Sequence, residues 1–169
     1  MKSYTAIAEK RTRVVPLFIV LVVVLAAGMA VDLARGSSAS ANSSLQAKEH
    51  RVVILIDSDD EKIMGHAISY SMNITRSYAR QGEKVKIEVV ANGSGIKLFR
   101  ADTSPLQQPL AALRQAIPDI MFSMCDSSRQ IAEQKEGRLI ALIPEARLVP
   151  FGIGRVVELQ ESGWSYVHG

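Results

Sequence analysis

Asp119-Ile-Met-Phe-Ser-Met-Cys125-Asp-Ser-Ser128 is the stretch that decides the fold of this 169-residue chain. Its first half is apolar and predicts a buried strand, which ends on the single cysteine of the sequence. Hydroxyl and carboxylate side chains follow, and they predict the start of a helix. A thiol at such a junction faces backbone N–H groups and the positive end of a helix dipole, which favour the thiolate. Cys125 is therefore the candidate reactive group, and the alternative is a small, packed apolar residue.

Strands and helices alternate on both sides of this stretch. A short apolar run predicts a strand at 51–57, and an alternating run that becomes apolar predicts one at 84–90. Further strands are predicted at 147–151, in the stretch that ends at Cys125, and at 164–167. Helices are predicted at 60–81, 109–117, 127–135 and 152–162. Ser58 and Glu61 have the spacing of a capping box at the start of the first helix. The alternation implies an α/β fold, a three-layer α/β/α sandwich of about five mostly parallel strands.

The N-terminal segment, residues 1–35, has the pattern of a transmembrane helix or signal. Val14 to Val31 is an apolar run preceded by Lys10, Arg11 and Arg13, and as a helix it would span about 27 Å. The positive-inside rule leaves the N-terminus in the cytoplasm. The segment predicts either an anchor in the inner membrane or a signal that is cleaved to release a periplasmic protein. Residues 36–47 predict a flexible linker, and residues 48–169 are the predicted α/β domain.

Charge and residue usage exclude several classes of function. Residues 1–41 carry five basic and two acidic side chains, whereas the remainder carries 15 of each. The net charge of +3 therefore comes from the N-terminal segment, and no nucleic-acid partner is expected. One cysteine and three widely spaced histidines provide no recognisable metal-ligand spacing, so no metal is expected. No cofactor is expected either, because the Rossmann and P-loop glycine fingerprints are absent from the sequence.

The turn after the second strand, Ala91-Asn-Gly-Ser-Gly95, is a candidate binding loop. Glycines at a strand end allow the backbone to approach a ligand closely, and successive N–H groups can hold an anion. An ordinary turn is the alternative. Because the C-terminal ends of parallel strands share one edge of the sheet, Asn92, Gly93, Ser94 and Gly95 are expected near Cys125. Asp57, at the end of the first strand, belongs to the same edge, and its alternative role is to cap the first helix.

At this point the pattern resembles the DsrE/DsrF-like superfamily of small α/β proteins linked to sulfur relay. The matching features lie between about residues 50 and 167. They are the first strand with the long Asn73-containing helix, the Val89-Val-Ala-Asn-Gly-Ser-Gly95 turn, the strand ending in Cys125, and Gly163-Trp-Ser-Tyr-Val167. The cysteine position and the Gly-Trp-Ser-Tyr ending are the more specific of these features.

The resemblance implies a flavodoxin-like layered sheet, a homo-oligomer and a cysteine that carries sulfur as a persulfide, which is the position of Cys125. Backbone N–H groups near Ser127 and Ser128 would stabilise the charged sulfur, and the partner would be a sulfur donor or acceptor protein. Asp126 departs from the Asn-Thr pair that often follows this cysteine in related proteins. Its carboxylate either disfavours the thiolate or caps the following helix. Asp57, Asn73 and Asp126 are therefore secondary candidates.

Two other functions stay open at this stage. The domain is a non-catalytic, oligomeric binding or assembly module if Cys125 is only packed. It is a thiol redox sensor if the cysteine is oxidised or joined to a second chain. The predicted position outside the cytoplasm counts against sulfur relay, because the familiar relays are cytoplasmic. A hydrolase is disfavoured, since no serine, histidine and acid stand in a recognisable motif.

Overall fold

Five strands form the centre of the structure, a computed structural model that describes residues 48–169. The predicted N-terminal segment and linker lie outside the described residues. The strands are β1 (Glu49–Ile56), β2 (Lys84–Ala91), β3 (Met121–Cys125), β4 (Ala146–Val149) and β5 (Ser165–His168). The helices are α1 (Glu61–Ala79), a 3₁₀ helix (Gly93–Phe99), α2 (Gln107–Ala116), α3 (Asp126–Glu136) and α4 (Gly152–Glu161). Among residues 48–169, no helix is long and apolar enough to cross a membrane.

All strands of the sheet are parallel, and their order is β4-β3-β2-β1-β5. The predicted α/β class with five parallel strands is therefore confirmed. The order differs from the 2-1-3-4-5 order of flavodoxin. The flavodoxin-like expectation holds for the layering of helices on a parallel sheet but not for the connection of the strands.

The two faces of the sheet have separate apolar clusters, because side chains alternate along each strand. Ile54 and Ile56 of β1 pack with the face that carries Met64 of α1 and Leu110 of α2. Val53 and Leu55 point the other way and pack against Val156 and Leu159 of α4. From β1 to β4, each new strand is added on the same side of the strand before it. The chain then crosses back over the sheet and adds β5 on the other side of β1. Right-handed crossovers then make α4 the one helix of residues 48–169 that lies on its face of the sheet.

The start of α1 differs from the prediction. Asp60, not Ser58, caps the helix, and its Oδ1 accepts hydrogen bonds from the N–H groups of Lys62 at 2.9 Å and Ile63 at 3.1 Å. Ser58 accepts from the N–H of Asp60 at 3.2 Å and so supports the cap indirectly. The predicted capping box is therefore wrong, because the chain leaves β1 through a longer turn than the spacing assumed.

A charged cluster that the sequence pattern did not predict lies under α4. Glu88 of β2 is 0% exposed, and it accepts hydrogen bonds from Ser123 of β3 at 2.7 Å and from Arg155 of α4 at 2.9 Å. Arg147 of β4 reaches both Ser123 and Glu88, at 3.1 and 3.2 Å. These bonds satisfy a buried carboxylate and tie α4 to three strands of the sheet.

Candidate functional site

Cys125 is the last residue of β3 and the N-cap of α3. Its Sγ accepts a hydrogen bond from the backbone N–H of Ser128 at 3.4 Å, which is the place that a hydroxyl or carboxylate usually takes at a helix start. The residue is 3% exposed. The predicted junction of strand, thiol and helix is present, and the sulfur faces an N–H donor in the first turn of a helix, where negative charge is stabilised.

Gly152, the first residue of α4, lies directly against the cysteine. A Cβ at this position would lie 3.0 Å from the Cβ of Cys125 and 2.9 Å from Oδ1 of Asn92. Both distances are shorter than ordinary van der Waals contact, so the start of α4 fits here only without a side chain. The sequence prediction missed Gly152, because nothing in the local pattern distinguishes it from a glycine that merely begins a helix.

The turn after β2 joins the end of β1 and the start of α3. The N–H of Asn92 donates to the carbonyl of Ile56 at 2.9 Å, and the hydroxyl of Ser94 donates to the carbonyl of Asp57 at 3.1 Å. On the other side, the N–H of Gly93 donates to Oγ of Ser128 at 3.0 Å. The structure therefore brings the two predicted loops together, and Ser128 bonds to both Gly93 and Cys125.

Gly95 makes a close backbone contact within the chain. It is buried, and a Cβ there would overlap the carbonyl oxygen of Ile56 and approach the Cα of Asp57 at 2.9 Å. The close approach is between two parts of the chain, and its effect is to hold the turn against the end of β1.

The two serines after the cysteine differ in their contacts. Ser128 directs its N–H to the sulfur, as predicted. The N–H of Ser127 donates instead to the carbonyl of Pro150 at 3.2 Å. Ser127 therefore anchors α3 to the segment between β4 and α4, and its N–H is bonded to a carbonyl rather than to the sulfur.

Asp126 begins α3 and is held by side chains of its own helix. Its carboxylate accepts hydrogen bonds from Arg129 at 2.8 Å and Gln130 at 2.7 Å. The hydrogen bond from Arg129 lowers the pKa of Asp126 below its usual range. The carboxylate does not cap the helix, because Cys125 has that position, and its charge is compensated by a neighbouring guanidinium.

Asp57 and Asn73 are separated by the length of a helix. Asp57 lies at the end of β1, and its Oδ1 is 3.1 Å from Nε2 of His168 in β5. Asn73 is exposed in the second half of α1, about 18 Å along the helix from its start. Asp57 therefore lies at the same sheet edge as the loops, and Asn73 does not. The sequence prediction missed His168, since only the pairing of β5 with β1 brings it to Asp57.

Two cavities flank the segment that contains Cys125. One, of about 540 Å³, lies between the 3₁₀ helix and α3 and is lined by Gly93, Ser94, Ser128 and residues farther along both helices. The other, of about 500 Å³, includes Val149, Pro150, Phe151 and Arg155. Cys125 lines neither of them. Across residues 48–169, no group of three or more His, Cys, Asp or Glu side chains is placed to hold a metal ion.

The fold and this sheet edge define an α/β protein with candidate binding loops at the C-terminal ends of its strands. No protein-family profile matches the chain, and no curated protein matches it. A similar solved structure is that of a protein of unknown function from Methanobacterium thermoautotrophicum. It superposes with a TM-score of 0.60 at 28% sequence identity, over 71% of this chain and 99% of that chain. The neighbour has the same α/β fold, and its function is unknown.

Proposed function

We propose that this protein is a DsrE/DsrF-like sulfur carrier in which Cys125 binds a sulfane sulfur as a persulfide and passes it to a partner. The observation that carries the proposal is the 3.4 Å hydrogen bond from the N–H of Ser128 to Sγ of Cys125, at the N-terminal end of a helix. This donor and the helix dipole stabilise negative charge on sulfur. The bond from Gly93 to Ser128 fixes the donor in place.

The transfer consists of two exchanges at sulfur. The Cys125 thiolate attacks the outer sulfur of a donor persulfide. A new S–S bond forms at Cys125 while the S–S bond of the donor breaks, and the donor leaves as a thiolate. An acceptor thiolate then attacks the outer sulfur on Cys125, which leaves as a thiolate. Each step is a displacement of one thiolate by another, so no external oxidant or reductant is needed.

We propose that this carrier is anchored in the membrane or secreted across it. Residues 14–31 form the apolar segment that would anchor the protein, with the α/β domain on the periplasmic side, or that would direct its secretion. A protease added to spheroplasts should digest the domain, whereas digestion only after lysis would place it in the cytoplasm.

The burial of the thiol favours a second candidate, a non-catalytic assembly module. Cys125 is 3% exposed and lines neither cavity, so an incoming sulfur must wait for the surrounding loops to open. Several large apolar side chains are exposed on β4, on α4 and on the segment between them, and they are suited to a contact with a second copy in a homo-oligomer. These are Leu148, Phe151, Ile153 and Val157.

Intact mass spectrometry of the full-length protein separates the two candidates. After incubation with inorganic polysulfide, the native protein should gain the mass of one sulfur atom and lose it on treatment with dithiothreitol. Cys125→Ala provides the matched control, because it removes the single cysteine of the sequence, and it should gain nothing. A sample unfolded in urea shows whether the thiol can react at all. Sulfur uptake by the unfolded sample but not by the native protein would favour the assembly module.

A further inference from the structure

We infer that the cavity between the 3₁₀ helix and α3 binds a small organic anion, that is, a carboxylate or sulfonate on an apolar body. The volume of about 540 Å³ is within the range of small-molecule sites. The inference goes beyond sulfur transfer and does not depend on it, because Cys125 does not line this cavity.

The rim of the cavity is held in place by four charged side chains that neutralise one another. Arg100 donates to Asp102 at 2.9 and 2.8 Å and to Glu136 at 2.6 and 2.9 Å. Arg138 bridges the same two acids, at 2.6 Å to Asp102 and 2.9 Å to Glu136. The network joins the C-terminal end of α3 to the loop that follows the 3₁₀ helix. The two walls of the cavity are thereby fixed relative to each other.

Two lysines supply the remaining positive charge. Lys97 of the 3₁₀ helix and Lys135 of α3 line the cavity from opposite walls. Among residues 48–169, neither lysine has a carboxylate oxygen within 4.0 Å of its ammonium nitrogen. Asp59 is the one acid of the lining that lies outside the neutral network. Together with Asp102, which pairs with two arginines of the lining, the lining therefore carries one excess positive charge, and its two lysines supply ammonium groups for an anion.

The cavity also has an apolar wall, which favours an organic over an inorganic anion. Ile96 is buried and Ile131 is 50% exposed, and both line the cavity together with Ala132. Covering the exposed side chain of Ile131 with an apolar part of a ligand removes apolar surface from water, which is favourable. A ligand with an apolar body and one negative group would satisfy both parts of this lining.

Calorimetric titration of the full-length protein with three probes tests the inference. Benzenesulfonate has an apolar ring and a charge, sulfate has only charge, and benzenesulfonamide has the ring without the charge. We expect benzenesulfonate to bind most tightly. The double variant Lys97→Gln/Lys135→Gln should weaken its binding by about tenfold or more. Lys48→Gln/Lys84→Gln, which removes equal charge at the opposite edge of the sheet, should change binding by less than about twofold.

Three outcomes would overturn the inference. They are equal affinity for benzenesulfonate and benzenesulfonamide, tighter binding of sulfate than of benzenesulfonate, and unchanged binding in Lys97→Gln/Lys135→Gln. Ile131→Ser should weaken the binding of benzenesulfonate and leave that of sulfate unchanged, which tests the apolar wall separately. Cys125→Ser should bind benzenesulfonate as the native protein does. The two proposals are therefore tested independently. A protein that takes up no sulfur can still bind benzenesulfonate, and one that does not bind benzenesulfonate can still take up sulfur.

Discussion

Arg155 of α4 donates two hydrogen bonds to Glu88 of β2, from Nε to Oε1 at 3.0 Å and from Nη2 to Oε2 at 2.9 Å. The carboxylate is fully buried, whereas the Arg155 side chain is 28% exposed. This pair fixes the only helix on its face of the sheet within residues 48–169. Because the start of α4 touches Cys125 through Gly152, the pair also positions one side of the candidate site.

Replacement of the buried carboxylate should destabilise the domain. Glu88→Gln leaves Arg155 and Arg147 without their shared acceptor charge, and we expect a loss of about 3 kcal/mol in the free energy of unfolding. Urea unfolding followed by circular dichroism measures the loss. Glu158→Gln is the matched control: it removes a 68% exposed partner of the same arginine and should cost less than about 1 kcal/mol. Equal losses in the two variants would show that the buried hydrogen bonds of Glu88 contribute no more to stability than the exposed ion pair of Glu158.

The stability of the domain should decrease in acid, partly because Glu88 becomes protonated. Burial alone would raise the pKa of Glu88, but hydrogen bonds from Arg155 and Ser123 and the charge of Arg147 hold it below its usual range. A carboxyl with a lowered pKa in the folded state stabilises the fold above the pKa of its unfolded form, about 4. That stabilisation is lost as the pH falls through the lower, folded value.

Thermal unfolding between neutral pH and pH 3 checks this dependence. The pKa of Asp102 is also lowered, mainly by its hydrogen bond with Arg100. Protonation of Asp102 should therefore also destabilise the native protein in acid. Glu88→Gln should show a shallower loss below about pH 4, because its amide does not titrate. A variant that loses stability with pH as steeply as the native protein would contradict the role of Glu88.

The contact of Gly152 with Cys125 predicts opposite effects at two nearby glycines. Gly152→Ala places a methyl group 3.0 Å from the Cβ of Cys125 and 2.9 Å from Asn92. It should cost about 1–3 kcal/mol. Gly154→Ala meets only the Cβ of Phe151, at 3.4 Å. It should be neutral or stabilising by up to about 1 kcal/mol, because alanine is the better helix former.

Alkylation of Cys125 with iodoacetamide gives a second readout for this pair. Gly152→Ala should increase the rate, because the added methyl group forces apart the segments that bury the thiol. Gly154→Ala should leave the rate unchanged. If both variants react at the native rate, α4 does not control access to the sulfur.

The hydroxyl of Ser128 should stabilise the edge of the site. Ser128→Ala keeps the N–H that bonds Cys125 but removes the acceptor of Gly93, and we expect a loss of about 0.5–1 kcal/mol on urea unfolding. Ser127→Ala, in the same turn, is the control, since its hydroxyl makes no hydrogen bond within the described part of the chain. Greater destabilisation by Ser127→Ala would reverse the assignment of these two serines.

Local pattern predicted the elements of this fold well. The apolar run before Cys125 and the polar residues after it predicted a strand followed by a helix, and the structure has both, with Gly137, at φ of 66°, at the end of the helix. The cap of α1 was harder to predict, because Ser58, Asp59 and Asp60 are all competent caps. Which of them is used depends on how far the chain must travel from β1 before it can turn back over the sheet.

The contacts that define the candidate site depend on residues far apart in sequence. Glu88 and Arg155 are separated by 67 positions. Glu88 follows Lys84 and Lys86 at alternate positions of its strand, and this local pattern does not distinguish a buried charge from an exposed one. Asp57 and His168 meet only because β5 pairs with β1. The lysines of the organic-anion cavity come from two helices whose relative position depends on tertiary packing. Proximity of this kind is set by strand order, which the pattern of a single sequence does not specify.

The placement of β5 beside β1 has a consequence for aggregation during folding. Residues 152–168 supply both α4 and the strand that covers the edge of β1. A partly folded domain in which they have not docked exposes the unpaired backbone of β1 and an uncovered apolar surface at Val53, Leu55 and Val90. An open strand edge of this kind is prone to pair with other chains. Docking of α4 and β5 is therefore the step that protects the domain from association through β1.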